Sequence, residues 1–362
     1  MPRQRTLLVF ILALALLPLA TGNPQRFKAG EPKHVKTINP KIGVHTRLTD
    51  EVEEWKIKRT MEMVREMGAS WVVEYFPWAY MEPSKNQFGW THAEMVSEYA
   101  YAEGLTLIAR IDYVPAWARP KETTSSYLGP ERYADFGDFV YAFVRHFKNR
   151  IKYYIIWNEP NLTIAWGFRQ VDPVAYTQLL KTAYLRAKEA WPGATILAAG
   201  LAPTLESPGS PNGLNDLLYL QQMYDAGARP YFDGMAIHAY GWKTSPDQEA
   251  APDRLNFARA ELIHQVMERN GDGTKPCFIT EGGWNDHPRW TKAVRPAQRT
   301  EYTVRAYQKA LEEWPWCRSV ALWAFRFPKP TRSYNDYFAF VNADFTPRPV
   351  YVETANYARG QR

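Results

Sequence analysis

The stretch "KYYIIWNEPN", residues 152–161, drives four apolar or aromatic residues straight into Trp157, Asn158, Glu159 and Pro160. A buried charge is costly unless it is paired. The end of a strand escapes that cost and still holds a side chain rigidly. The segment therefore reads as a strand that delivers a carboxylate and an amide to one end of a sheet and stops on a proline. One glutamate is not a mechanism, so the other strands decide what it means.

The same kind of run recurs along the chain. "KIGVHT" lies at 41–46, "SWVVEYF" at 70–76, "LTLIARI" at 105–111 and "TILAAG" at 195–200. "FDGMAIHAY" follows at 232–240, "CFITEGG" at 277–283 and "SVALWAF" at 319–325. With the strand at 152–159 there are eight, their starts roughly 30 to 45 residues apart, about what one βα unit needs. Between them lie amphipathic segments with helix punctuation. Residues 49–68 open on Thr49, stop at Gly68 and repeat apolar residues at Val52, Trp55, Met63, Val64 and Met67. Residues 172–193 carry Pro173 in the first turn and end on Pro192 and Gly193. Near-continuous apolar strands covered by helices predict a parallel sheet buried on both faces. An open doubly wound sheet would show a glycine-rich turn after the first strand, and "HTRLTD" at 45–50 is not one. The expected fold is an α/β (β/α)8 TIM barrel, one catalytic domain over 39–362, closed by an eighth loop and a last helix within 335–360.

Composition narrows the function. The chain has 362 residues with 14 Trp and 22 Tyr, a surplus suited either to a groove for the flat faces of sugars or to packing between helices. The net charge of +6 is scattered, without the concentrated basic patch that nucleic acid requires, so no nucleic-acid partner is expected. Arg3 and Arg5 precede 14 apolar residues, Leu7–Ala20, too short for a spanning helix, which needs about 20. Residues 1–22 read as a signal peptide, with an uncleaved anchor as the alternative, and predict a secreted or extracytoplasmic protein. Residues 23–38 read as a polar, loose N-terminal segment. Cys277 and Cys317 fall on neighbouring strands near the barrel bottom, as a disulfide or as two free thiols.

Barrel active sites sit at the C-terminal strand ends. Those ends supply His45 and Arg47; Glu74, Trp78 and Tyr80; Arg110, Asp112 and Trp117; Asn158 and Glu159; His238 and Tyr240; Glu281 and Trp284; Trp323 and Arg326. Two glutamates, Glu159 and Glu281, close strands four and seven, which face one another across the mouth of an eight-stranded barrel. A carboxyl pair of this kind is the equipment of glycoside hydrolysis, one acting as acid and base and the other as nucleophile.

"WNEPN" on strand four, "HAY" on strand six, "ITEGGW" on strand seven and "LWAF" on strand eight resemble clan A of the glycoside hydrolases. That clan includes cellulases and mannanases of family 5 and xylosidases of family 39. The resemblance spans residues 41–345 and includes the strand-two loop at 74–90. It implies a retaining β-glycosidase that needs no cofactor and acts on a β-linked polysaccharide or oligosaccharide. Glu159 maps to the acid/base, Glu281 to the nucleophile and Asn158 to the residue that bonds the sugar 2-hydroxyl. Tyr240 maps to the donor to the nucleophile and Trp323 to the platform under the reacting sugar. The added β-sandwich typical of family 39 xylosidases has little chain left to form it.

Each assignment has a plainer competitor. Arg110 reads either as an organiser of Glu74 or Glu281 or as a substrate contact. Trp78, Trp117, Trp166 and Trp242 read either as stacking surfaces or as loop packing, while Trp284, next to Glu281, is expected at the cleft. His238 reads as a supporting histidine rather than a metal ligand, for want of a second His or Asp at ligand spacing. Glu74 and Asp112 can serve only to tie neighbouring loops. The alternative class is a non-catalytic carbohydrate-binding TIM barrel, which would keep the aromatics and need neither glutamate. The expected partner is a β-linked glycan, the expected state a monomer without a stable membrane partner if the N-terminal segment is cleaved.

Overall fold

The computed structural model describes residues 27–361, so the signal-peptide reading of 1–22 lies outside the described residues. Eight parallel strands close into a barrel in sequence order. They are β1 (Ile42–His45), β2 (Trp71–Pro77), β3 (Thr106–Asp112), β4 (Tyr153–Ile156), β5 (Thr195–Ala198), β6 (Gly234–Tyr240), β7 (Cys277–Gly283) and β8 (Cys317–Trp323). The sheet closes where β1 pairs with β8, His45 standing opposite Trp323. The main helices are α1 (Glu54–Glu66), α2 (Trp78–Met81), α3 (Thr91–Ala102), α4 (Tyr133–Phe147), α5 (Pro173–Ala190), α6 (Asp216–Asp225), α7 (Arg259–Arg269), α8 (Pro296–Glu312) and α9 (Pro349–Ala358). The expected α/β architecture is the observed one. Among the described residues no helix is long and apolar enough to cross a membrane.

Alternation along the strands divides the core in two. Val73, Ile108, Ile155, Leu197, Ala236, Phe278 and Ala321 form one cluster, contributed by seven of the strands and filling the barrel interior. Trp71, Tyr153 and Phe278 pack edge-on and tilted at the N-terminal ends of their strands. The residues between them in sequence point outward into the larger layer under the helices. α4 shows why the helices stay there: Phe136, Phe139, Val140, Phe143, Val144 and Phe147 recur at helical spacing and are all buried. Asp172 caps α5, accepting from the amides of Val174 and Ala175, and Pro173 occupies the first turn.

The described part of the N-terminal segment is docked, not loose. The Phe27 ring packs on Tyr99, the Lys33 amide donates to Ala102 O, and the Lys33 ammonium pairs with Glu103 at 2.6 Å. Cys277 and Cys317 are register partners on β7 and β8, both buried and both free thiols. Burial pushes both thiols up, that of Cys317 to about 11, so neither ionises readily.

Candidate active site

Interior parity decides which strand-end residues meet. On β3, Ile108 faces inward, so Arg110 and Asp112 do as well. On β6, Ala236 faces inward and brings His238 and Tyr240 to the mouth. β7 needs a correction to reach it. Phe278 faces inward, and strict alternation would turn Glu281 toward the helices. The pairing with β6 runs Ile237 opposite Ile279 and then His238 opposite Glu281, skipping Thr280. This bulge inserts one residue and turns Glu281 inward beside His238. β4 uses backbone torsion instead. Trp157 and Glu159 both adopt positive φ, 74° and 45°. Positive φ costs about 1–3 kcal/mol per non-glycine residue and persists where the surroundings enforce it. Here Trp157 is buried with its Nε1 donating to Ala165 O, and the Glu159 amide donates to Gly200 O.

The resulting cluster is tightly cross-linked. Tyr240 Oη donates to Glu281 Oε1 at 2.5 Å, and Arg110 Nη1 donates to Glu281 Oε2 at 3.3 Å. The same Arg110 nitrogen reaches Asn158 Oδ1 at 3.2 Å. Because a guanidinium can only donate, it fixes the amide with Oδ1 inward and leaves Nδ2 as the donor for a ligand. Arg110 also stacks on Tyr75, 4.6 Å from the ring centroid, and pairs with Asp112 at 3.5 Å. His238 Nδ1 lies 2.8 Å from Glu159 Oε1, and its Nε2 lies 4.0 Å from Glu281 Oε2. Gly200 makes room for this histidine, since a Cβ there would stand 2.3 Å from its ring. The two carboxylate side chains keep 20% and 13% of their surface exposed, so both can be reached from the mouth.

The charges are ordered by this geometry. Burial alone would push the Glu281 carboxyl up, but the charges of His238 and Arg110 and the Tyr240 hydrogen bond outweigh it and hold it below the usual carboxylate range. Burial pulls His238 down, yet Glu281 and the hydrogen bond with Glu159 more than offset this, and its net shift is upward. His45 goes the other way: burial and then Arg110 push it down to about 3. Its Nδ1 faces the carbonyl of Thr46 at 2.7 Å and so carries the proton, which leaves Nε2 to accept from Arg110 at 3.5 Å. Glu159, His238 and Glu281 present ligand atoms all within 4.8 Å of one another, a spacing a cation could use and one that a search for clustered His and Asp overlooks. Arg110 already supplies a positive charge to the Glu281 oxygen, and a cation there would have to share it.

Several strand-end residues are elsewhere. Val73 faces the barrel interior, so Glu74 faces away from it. Glu74 accepts from the hydroxyls of Thr46 and Thr49 and the amide of Leu48, at 2.6, 3.0 and 2.9 Å, and so ties down the loop after β1. Arg110 therefore organises Glu281 and Asn158, not Glu74. Trp78 is wholly buried and donates to Glu82 Oε2, while Trp117 is half-buried, stands edge-on to Trp78 and donates to Glu82 O. They pack one loop cluster and leave no face for a ligand at Trp78. Trp284 is also buried, donating to Thr244 O and tilted against Phe257, so it braces the loop behind β6 and β7 and does not line the cleft. Trp166 is likewise core. Trp323 remains at the mouth, edge-on to His45 at 4.7 Å, and its peptide bond to Ala324 is cis. Tyr75, which bonds Asp112 and carries Arg110, is absent from the strand-end candidates; its parity with Val73 is the signal that finds it.

Fold and site together define a TIM barrel with a paired-carboxylate centre at its mouth. Its barrel is shared with solved clan A glycoside hydrolases. One is a family 39 glycoside hydrolase from the gut symbiont Bacteroides cellulosilyticus WH2, at 23% identity over 91% of this chain, with a TM-score of 0.71. The chain spans 65% of that protein's length. A monomeric beta-xylosidase from Caulobacter crescentus CB15 aligns at 16% identity and TM-score 0.64 over 88% of this chain and 69% of its own. A GH5_18 structure from Streptomyces cattleya aligns at 14% and 0.66, covering 90% of this chain and 81% of the other. At these identities the likeness establishes the fold. No family model and no curated protein matches the sequence.

Proposed function

We propose that the protein is a retaining β-glycosidase of clan A type that hydrolyses the O-glycosidic bonds of a β-linked glycan, with Glu281 as nucleophile and Glu159 as acid and base. The observation that carries this reading is the meeting of two carboxylates across the mouth, one oxygen of each within 4.8 Å of the other, with Arg110 and Tyr240 on Glu281 and His238 on Glu159. Retaining enzymes hold their carboxyl groups about 5–5.5 Å apart, and inverting ones leave about 6.5–9.5 Å for a water. The environments support the division of labour. Arg110 and Tyr240 keep Glu281 ionised, as a nucleophile must be. Among the described residues the ion pair that Glu159 makes is with His238, whose Nδ1 lies 2.8 Å from its Oε1. In the first step Glu281 attacks the anomeric carbon while Glu159 gives its proton to the departing oxygen. In the second, Glu159 takes a proton from water as the water displaces Glu281 from the opposite face. Asn158 Nδ2 is oriented to bond a hydroxyl of the reacting sugar, and Trp323 offers its ring beneath that sugar.

We also propose that the enzyme is exported; the support is the arginine-flanked apolar run at the start of the chain. The test of the catalytic reading is covalent. A 2-deoxy-2-fluoro β-glycoside of a sugar that the enzyme accepts should leave a stable adduct on the peptide containing Glu281, found by mass mapping, and Glu281→Ala should abolish both labelling and turnover. Labelling elsewhere, or residual turnover in Glu281→Ala, overturns the assignment.

A further inference from the structure

Two cations stand on aromatic rings at the C-terminal ends of β6 and β8. Lys292 Nζ lies 4.4 Å from the centroid of Trp242, which stacks at 5.4 Å on Tyr240, the donor to Glu281. Arg47 Cζ lies 5.3 Å from the centroid of Trp323 and 5.7 Å from that of Phe327. Trp242 follows β6 and Trp323 ends β8, so the two cations bracket β7 and its glutamate. Seating on an aromatic face restrains a long side chain that would otherwise sweep through solvent.

Among the described residues several anions of the same rim are already engaged, while Glu249, Asp253 and Asp344 on the loops after β6 and β8 are exposed and carry no ion pair. Asp286 pairs with Arg299, Asp247 with Arg305, and Glu51 with Arg326 in a buried pair that joins the first loop to the last. Asp336 accepts from the amides of Thr331 and Arg332. Among the described residues no carboxylate pairs with the exposed Lys292, and Arg47 has only Asp50 at 3.7 Å, itself 59% exposed. Arg289, Lys329 and Arg332, on the loops after β7 and β8, are exposed and equally without an ion pair. A neutral sugar needs hydroxyl partners and has no use for cations held on the aromatic rings of its cleft. An acidic group would gain charge-assisted hydrogen bonds from positioned donors and would be drawn by the field of the cleft.

Resting on the glycosidase reading above, we infer that the substrate is an acidic glycan, carrying uronate carboxylates or sulfate esters on sugars next to the cleaved bond, and that Lys292 and Arg47 recognise them. Three β-linked oligosaccharides of one backbone, bare, uronate-bearing and sulfated, supply the test. The wild-type enzyme should favour an acidic form over the bare one in kcat/KM, and whichever acid is favoured identifies the source. Lys292→Met and Arg47→Met should each lower that acidic-to-bare ratio about tenfold, the worth of one charge-assisted contact. Lys292→Arg should restore most of it, and raising the ionic strength should lower the ratio in the wild type. A wild-type ratio near one, or a ratio that neither methionine variant moves, overturns the inference. If no oligosaccharide is cleaved and Glu281 is not labelled, the glycosidase reading fails instead. Calorimetric binding of the acidic and bare oligosaccharides then decides this inference by itself, equal affinity counting against it.

Discussion

Tyr240→Phe removes one oxygen and leaves the ring stacked on Trp242. The lost hydroxyl donates to Glu281 Oε1 at 2.5 Å in a site where the carboxylate keeps 13% of its surface exposed. A hydrogen bond to a charged group contributes about 1.5–3 kcal/mol. The donor favours the ionised form, so its removal raises the Glu281 pKa from its depressed position. The proposed mechanism requires Glu281 ionised, and the acidic limb of kcat/KM should therefore move to higher pH. The second chemical step suffers more directly, because Glu281 leaves the sugar as a carboxylate and regains the charge that Tyr240 stabilises. Loss of the full bond would slow that step about 10- to 100-fold. With an activated aryl glycoside, stopped-flow detection of the phenol should show a burst followed by a slow steady state, the sign of an accumulating glycosyl-enzyme. A variant with unchanged kcat, no burst and an unmoved acidic limb would refute the role given to Tyr240 and weaken that of Glu281.

Glu159→Ala should slow natural glycans far more than aryl glycosides with activated phenols, which depart without a proton, and added azide should restore turnover of the aryl substrates; equal losses without rescue would remove Glu159 from the acid/base role. N-terminal sequencing of protein recovered from the culture medium should begin near Asn23, whereas membrane-retained protein with Met1 intact would favour the anchor.

The barrel was legible because each strand is a compact apolar run, the runs recur eight times, and parallel strands need helices between them. The carboxylate pair was legible for a related reason: both glutamates close such runs, and strand ends in a closed barrel must converge. Residue type without parity misled. Glu74 ends a strand as Glu281 does, but it stands one position beyond inward-facing Val73, and β2 has no bulge to turn it. Trp78 and Trp284 show the limit for indoles, since a tryptophan that starts a loop can fill the core as well as line a groove. The network that sets the charges was legible at Arg110, at His238 as a supporting histidine and, through the resemblance, at Tyr240, but not in its pairings. Arg110 meets Glu281 across 171 residues, and Glu51 meets Arg326 across 275, and no local pattern encodes such a pairing. The bulge at Thr280 leaves no local signature either, although without it Glu281 would face the helices.

Two displacements at one carbon are the core of the account, and the anomer of the first product records them. Early-time proton NMR during hydrolysis of a β-linked substrate should show the β anomer first, with the α form growing only at the rate of mutarotation. An α anomer appearing first would mean a single displacement by water, and Glu281 could not then be the nucleophile.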